Sequence, residues 1–120
     1  MTTYKSKFEA QVRKLLPKWV KYEAKTIHFK QPEKDRKYNP DWMVNDTTFI
    51  ETKGKFTRED RQKHLWIREQ HPELTIYILF MNAFNKIHKG SSTTYADWCE
   101  ANNIEWADFK MGIPKKWLQK

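Results

Sequence analysis

The stretch Asn39-Pro40-Asp41-Trp42-Met43-Val44-Asn45-Asp46-Thr47-Thr48-Phe49-Ile50-Glu51-Thr52-Lys53-Gly54 decides how this chain folds. Asp41 and Val44 precede a polar turn around Asn45 and Asp46. Phe49 to Lys53 follow as a β-branched and aromatic run, and the two parts together are the pattern of a hairpin. A three-residue turn, Asn45 to Thr47, pairs Val44 with Thr48 and sets Asp41 opposite Glu51, with facing Cβ atoms roughly 4.5 to 5.5 Å apart. A two-residue turn would instead send the two carboxylates to opposite faces.

Two facing carboxylates repel, and a divalent metal is the simplest group that makes them compatible. Hard cations such as Mg²⁺ take one or two carboxylates, several waters and substrate phosphate oxygens rather than a full protein cage. Lys53 lies two residues after Glu51 and so shares its face of the strand. A cation beside two acids and a metal suits phosphodiester cleavage, where it orients water or offsets charge at the scissile phosphate.

The 120 residues make one domain with a modest core. Lys plus Arg at 23 against Asp plus Glu at 15 leaves a net charge of +8, which is compatible with a polyanionic partner. Solubility alone also accounts for such a charge. The single cysteine, Cys99, excludes an internal disulfide framework, and no cysteine-histidine spacing resembles a zinc site. The four histidines are scattered without partners at ligand spacing and are assigned no metal. No apolar run follows Lys5 and Lys7 to make a signal peptide, and no segment reaches membrane-span length, so the expectation is an intracellular protein with no membrane partner. The six Trp are read mainly as core residues, although exposed rings also stack on bases.

Outward from the hairpin, Phe8, Val12, Leu15 and Leu16 define an amphipathic helix over Lys5 to Leu16, ended by Pro17. Glu9 lies about 75° from the centre of the apolar stripe, at the boundary of buried and exposed. It reads either as the acid of a Ser6-x-x-Glu9 capping box or as a third acid for the metal site. Trp19 to Phe29 is strand-like, and Lys30 to Lys37 reads as a solvated loop. Gly54 permits a sharp exit from its strand. Glu59 and Asp60 open the next helix, with Leu65, Trp66 and Ile67 as its apolar side. Its charged residues read as a solvated face or, next to the metal site, as phosphate contacts. Pro72 ends that helix, and Thr75 to Phe80 suits a strand buried on both faces. Asn82 to Thr94 is a polar loop, Tyr95 to Ala101 a helix with Cys99 as a buried small hydrophobe, Ile104 to Trp106 a short strand and Ile113 to Leu118 a final turn.

Pro40-Asp41, nine intervening residues and Glu51-Thr52-Lys53 resemble the PD-(D/E)xK nuclease superfamily. Further blocks in the same order resemble the phage endonuclease I family of Holliday-junction resolvases. They are Ser6-x-Phe8-Glu9, Tyr38-x-Pro40-Asp41, Glu51 to Gly54, Asp60 to Leu74, and Lys89-Gly90-Ser91-x-Thr93-x-Tyr95 with Cys99-Glu100. Several ordered blocks are far more specific than one motif.

The resemblance implies an α/β fold in which a mixed central sheet is flanked by helices, with a restriction-endonuclease-like core. It implies one nuclease domain over 1–120, in which 25–38 bridges two subunits of a domain-swapped homodimer. It implies Mg²⁺, with Mn²⁺ as substitute and no organic cofactor, and a four-way DNA junction as substrate, resolved by paired nicks. Asp41, Glu51 and the Thr52 backbone carbonyl would hold the metal. Glu9 would complete the site from the other subunit, and Lys53 would position or activate water. Lys55, Arg58, Arg61, Lys63, His64, Arg68, Lys86, Lys89, Ser91 and Thr93 are the expected DNA contacts. A phage-encoded protein of this kind would act in the host-cell cytoplasm. Against the family pattern the chain is shorter at its N-terminus and has no long basic tail, ending at Lys115, Lys116 and Lys120, which weakens expected arm and tail contacts. The rival readings are a less selective nicking nuclease and a non-catalytic protein that only binds branched DNA.

Overall fold

The computed structural model describes residues 3–119, and Lys120 lies outside them. Helix α1 spans Lys7–Leu15 and is capped by the Ser6 hydroxyl, which accepts from the Glu9 N–H. Strands β1 (Lys21–Tyr22), β2 (Ile27–Gln31), β3 (Lys34–Tyr38), β4 (Trp42–Asn45) and β5 (Thr48–Lys53) follow. The chain continues with α2 (Arg58–Gln70), β6 (Thr75–Phe80), α3 (Tyr95–Ala101) and β7 (Trp106–Asp108), and 3₁₀ turns lie at Phe109–Met111 and Lys115–Leu118.

Five strands form one mixed sheet in the order β1-β4-β5-β6-β7. The β1/β4 and β4/β5 pairs are antiparallel, and β5/β6 and β6/β7 are parallel. Parallel neighbours need a crossover, and α2 and α3 supply the two that this sheet requires. Alternation along β5 and β6 sorts the core. Ile50 and Leu79 pack with Phe8 and Val12 of α1, with Leu16 just after it and with Trp117, whereas Phe49 and Ile76 pack with Ile67 of α2. Ile78 and Phe80 meet Ala96 and Cys99 of α3. The sheet is therefore covered by α1 and the C-terminal turn on one face and by α2 and α3 on the other. Cys99 is fully buried, and burial pushes its thiol up to about 12.

Four local expectations change. The β4–β5 turn has two residues, because Asn45 pairs with Thr48, yet Trp42 still pairs with Ile50. A bulge between Met43 and Asn45 absorbs the extra residue and restores the register that brings Asp41 and Glu51 together. Lys30 to Lys37 is not a loop. β2 and β3 pair from Ile27↔Tyr38 to Gln31↔Lys34 across the two-residue turn Pro32-Glu33, with Glu33 at φ 63°. Its outward residues are charged because the hairpin lies on α2, to which Gln70 ties it by bonding both the N–H and the carbonyl of Lys30 at 2.6 Å. Gly54 needs no special backbone, since a Cβ there would meet only the Met81 methyl at 4.0 Å. The last strand is shifted to Trp106–Asp108, with Ile104 turned into the α3 core.

Candidate active site

The bulged hairpin delivers Asp41 in the bend before β4, and β5 delivers Glu51, Thr52 and Lys53 beside it. Helix α1 adds Glu9 from the opposite face of the sheet. These side chains line one open cleft of about 310 Å³, with Gly54 and Lys55 at its rim. Glu9, Asp41 and Glu51 are 6%, 9% and 5% exposed, so three carboxylates sit in little water.

Each acid is held by neighbours close in sequence or pairing. Asp41 Oδ2 accepts from the Thr52 N–H at 2.9 Å and the Thr52 hydroxyl at 2.6 Å. Thr52 thus lines the cleft with two groups that fix Asp41. Glu51 Oε1 accepts from the Tyr38 hydroxyl at 2.7 Å and the Asp41 N–H at 3.2 Å. Its Oε2 lies 3.6 Å from Lys53 Nζ. Lys53 in turn lies 3.2 Å from Asp60, whose other carboxylate oxygen accepts from the Thr57 N–H at the start of α2.

The electrostatics follow from this crowding. Burial and then the Asp41 charge push Glu9 up to about 7, and the same two causes push Glu51 up to about 7 against the pull of Lys53 and the Tyr38 hydrogen bond. Burial works against the charge of Lys53, but Glu51 and Asp60 outweigh it and hold the ammonium above its ordinary value.

Three contributors have no site role assigned from the sequence, although Tyr38 and Asp60 belong to the quoted blocks. Glu23 follows β1 at φ 47°, and its carboxylate, with those of Glu9 and Asp41, places three ligand-type oxygens within 4.8 Å of one another. Its N–H donates to the Asp41 carbonyl at 2.7 Å, and its side chain pairs with Lys5 at 3.2 Å. Tyr38 and Asp60 are the others, each acting through a side chain already singled out. Only their positions in the folded chain bring them near, although Asp60 belongs to a Thr57-x-x-Asp60 capping box that the sequence does display.

The basic residues divide. Lys55, Arg58, Lys86 and Lys89 are exposed. Lys63 is half-buried, with Nζ 4.9 Å above the Tyr38 ring. Ser91 and Thr93 are half-buried, and the Ser91 hydroxyl accepts from the Thr93 N–H. Arg61, His64 and Arg68 face inward instead. Arg61 donates to the Phe56 carbonyl at 2.7 Å and Arg68 to the Ile76 carbonyl at 2.7 Å. His64 is fully buried against Tyr38 and Phe56, and offers a phosphate no surface. Ile67 of the expected apolar side is buried and Trp66 packs against its cluster, but Arg61 and His64 join Ile67 as the fully inward residues of α2.

A family model described as phage endonuclease I matches residues 1–120. Endodeoxyribonuclease 1 of Enterobacteria phage T3 is 45% identical over 108 residues, covering 88% of this chain and 71% of that protein. Endonuclease I of Escherichia phage T7 is 41% identical over 119 residues, covering 97% of this chain and 78% of that protein.

Proposed function

This chain belongs to the phage endonuclease I family, and from that premise we propose that it is a metal-dependent DNA endonuclease that resolves four-way junctions by paired nicks. The observation that carries the reading is the convergence of Glu9, Asp41, Glu51 and Lys53 on one open cleft. The relatives' names as endonucleases support the same chemistry.

The donor set fits a hard divalent cation, because burial and the Asp41 charge raise the proton affinity of Glu9 and Glu51 and a cation relieves that crowding. Asp41, Glu51 and Glu9 would hold Mg²⁺ or Mn²⁺, with the Thr52 carbonyl as a further donor. When bound, the ion supplies Lewis-acid stabilisation of the phosphate and a lowered proton affinity for an attacking water. Lys53, kept charged by Glu51 and Asp60, offsets negative charge at the scissile phosphate. In-line attack leaves a 5′-phosphate and a 3′-hydroxyl. Lys55, Arg58, Lys63, Lys86 and Lys89 provide charge for backbone contacts that position DNA without reading sequence.

Junction selectivity rests on symmetry and deformation. A two-fold dimer presents two clefts, and a branch point follows their angle more cheaply than intact duplex, whose bending costs on the order of 1 to 6 kcal/mol. A restriction-endonuclease-like sheet would carry each cleft. The Pro32-Glu33 turn supports a swap through 25–38, since a short turn with a non-glycine residue at φ 63° is a strained hinge. Opened there, β2 and β3 would run on as one strand and carry Glu9 into the partner's cleft. Action in the host-cell cytoplasm fits this reading, and no helix among the described residues is long and apolar enough to cross a membrane.

The test is cleavage of a fixed four-way junction and its matched linear duplex in Mg²⁺, by the native chain and by Glu51→Ala. Cutting near the branch point that vanishes in the variant while junction binding persists is the expected result. Equal cutting of both substrates would leave a general nicking nuclease, and binding without cutting in Mg²⁺ or Mn²⁺ would leave an architectural protein.

A further inference from the structure

Glu51 has two carboxylate oxygens, and the fold treats them differently. Oε1 is occupied by the Tyr38 hydroxyl at 2.7 Å and the Asp41 N–H at 3.2 Å, whereas Oε2 faces Lys53 across 3.6 Å. Among the described residues no other side chain donates to Oε1. Tyr38 is the last residue of β3, is 4% exposed and pairs with Ile27 across the β2–β3 hairpin. Its ring is gripped from two sides, by the His64 ring edge-on at 5.5 Å and by Lys63 Nζ at 4.9 Å. His64 bonds nothing through either nitrogen, and burial keeps it neutral, so it packs here as an aromatic wall for Tyr38. A fully enclosed phenol stays protonated and can only donate to the carboxylate.

A carboxylate whose two oxygens were both free would rotate about its terminal torsion, which is broad and roughly two-fold. With Oε1 pinned, only Oε2 is presented to the cleft. We propose that Tyr38 is a positioning residue for cleavage, its hydroxyl orienting Glu51 so that one defined oxygen meets the divalent cation. This rests on the nuclease reading above. It also means that the placement of the β2–β3 hairpin on α2 sets the geometry of an acid on β5, because the hairpin reaches the cleft through this one phenol. Neighbours that hydrogen-bond a ligating carboxylate are worth roughly 10- to 100-fold in metal affinity or activity.

The test is Tyr38→Phe, which keeps the ring and removes the hydroxyl. The expected result is Mn²⁺ affinity of the DNA-free protein, read by calorimetry, weakened roughly 10-fold or more. Turnover on the junction should fall in parallel and recover partly at high Mn²⁺, with junction affinity in EDTA unchanged. In a Glu51→Gln background the same substitution should change Mn²⁺ affinity no further, a coupling that a purely structural role would not produce. Thermal melts of each variant restrict the comparison to folded protein. Native Mn²⁺ affinity and turnover in Tyr38→Phe, while the native chain cleaves, would overturn the role of Tyr38 alone. A native chain that neither binds Mn²⁺ nor cleaves would remove the nuclease reading and this proposal with it.

Discussion

Glu9 and Glu51 hold protons more tightly in the folded chain than they would in water, each pushed up to about 7 by burial first and by Asp41 second. The sign of the consequence follows from linkage. A group whose folded pKa exceeds its unfolded value favours the fold fully below the unfolded pKa, and that stability is lost as pH rises through the folded one. Between about pH 4.5 and 7 these two acids should therefore cost the metal-free protein stability as pH rises, and His64, which burial holds neutral well below its ordinary value, offsets part of that loss up to its unfolded value of 6.5, one group against two. Asp60 has the opposite sign, held below its ordinary value by Lys53 and Thr57 against burial, but its contribution is lost only at more acid pH. Melting temperatures in EDTA should fall from pH 5 to pH 8, and added Mg²⁺ should raise them more at pH 8 than at pH 5. A Glu9→Gln, Glu51→Gln double variant should flatten the slope, and an unchanged slope would show that these two acids do not set it.

At the scale of elements, the start of α2 links helix capping to the cleft. Thr57 and Asp60 make a reciprocal capping box, and the Asp60 oxygen left over pairs with Lys53 at 3.2 Å. One carboxylate therefore fixes where the helix begins and where the lysine sits. Asp60→Asn keeps an acceptor for the Thr57 N–H, so stability should change by less than about 1 kcal/mol, the usual worth of a cap. Lys53 then leans on Glu51 alone, and turnover should drop on the order of tenfold, about 1.4 kcal/mol in the barrier. Denaturant melts and single-turnover cleavage separate the two effects. A large stability loss with normal turnover would assign Asp60 to capping only.

For the molecule as a whole, the proposed dimer leaves two arrangements, in which each cleft uses its own Glu9 or the partner's. Within one chain, α1 already places its own Glu9 beside Asp41. A swap at the Pro32-Glu33 turn would replace it with the partner's Glu9 in the same position. Co-expression of Glu9→Ala with Glu51→Ala distinguishes the two arrangements. In a swapped mixed dimer one cleft collects both substitutions and the other collects none, so nicking activity returns. Without a swap each cleft carries one substitution, and the mixture stays inactive.

The sequence by itself determined the elements whose cause is local. The spacing of Phe8 and Val12 makes α1, although Leu15 of the same stripe is exposed and Leu16 is its extended cap, the apolar run Thr75 to Phe80 makes a buried strand, and Asp41, Glu51 and Lys53 are spaced to share a hairpin. What the sequence left open is whatever depends on contacts between distant segments. The β2–β3 hairpin looks like a loop because its outward residues are charged, and only α2 beneath it makes burial of Ile27, Phe29 and Tyr38 pay. Arg61 and Arg68 look like phosphate contacts until the helix–sheet junction presents them with carbonyls. The Val44 bulge, the approach of Glu23 to Glu9 and Asp41, and the bond from Tyr38 to Glu51 have no pattern in the chain. They arise because tertiary packing sets side-chain direction at ångström scale, where hydrogen bonding and desolvation act, while residue spacing specifies only which face of an element a side chain shares.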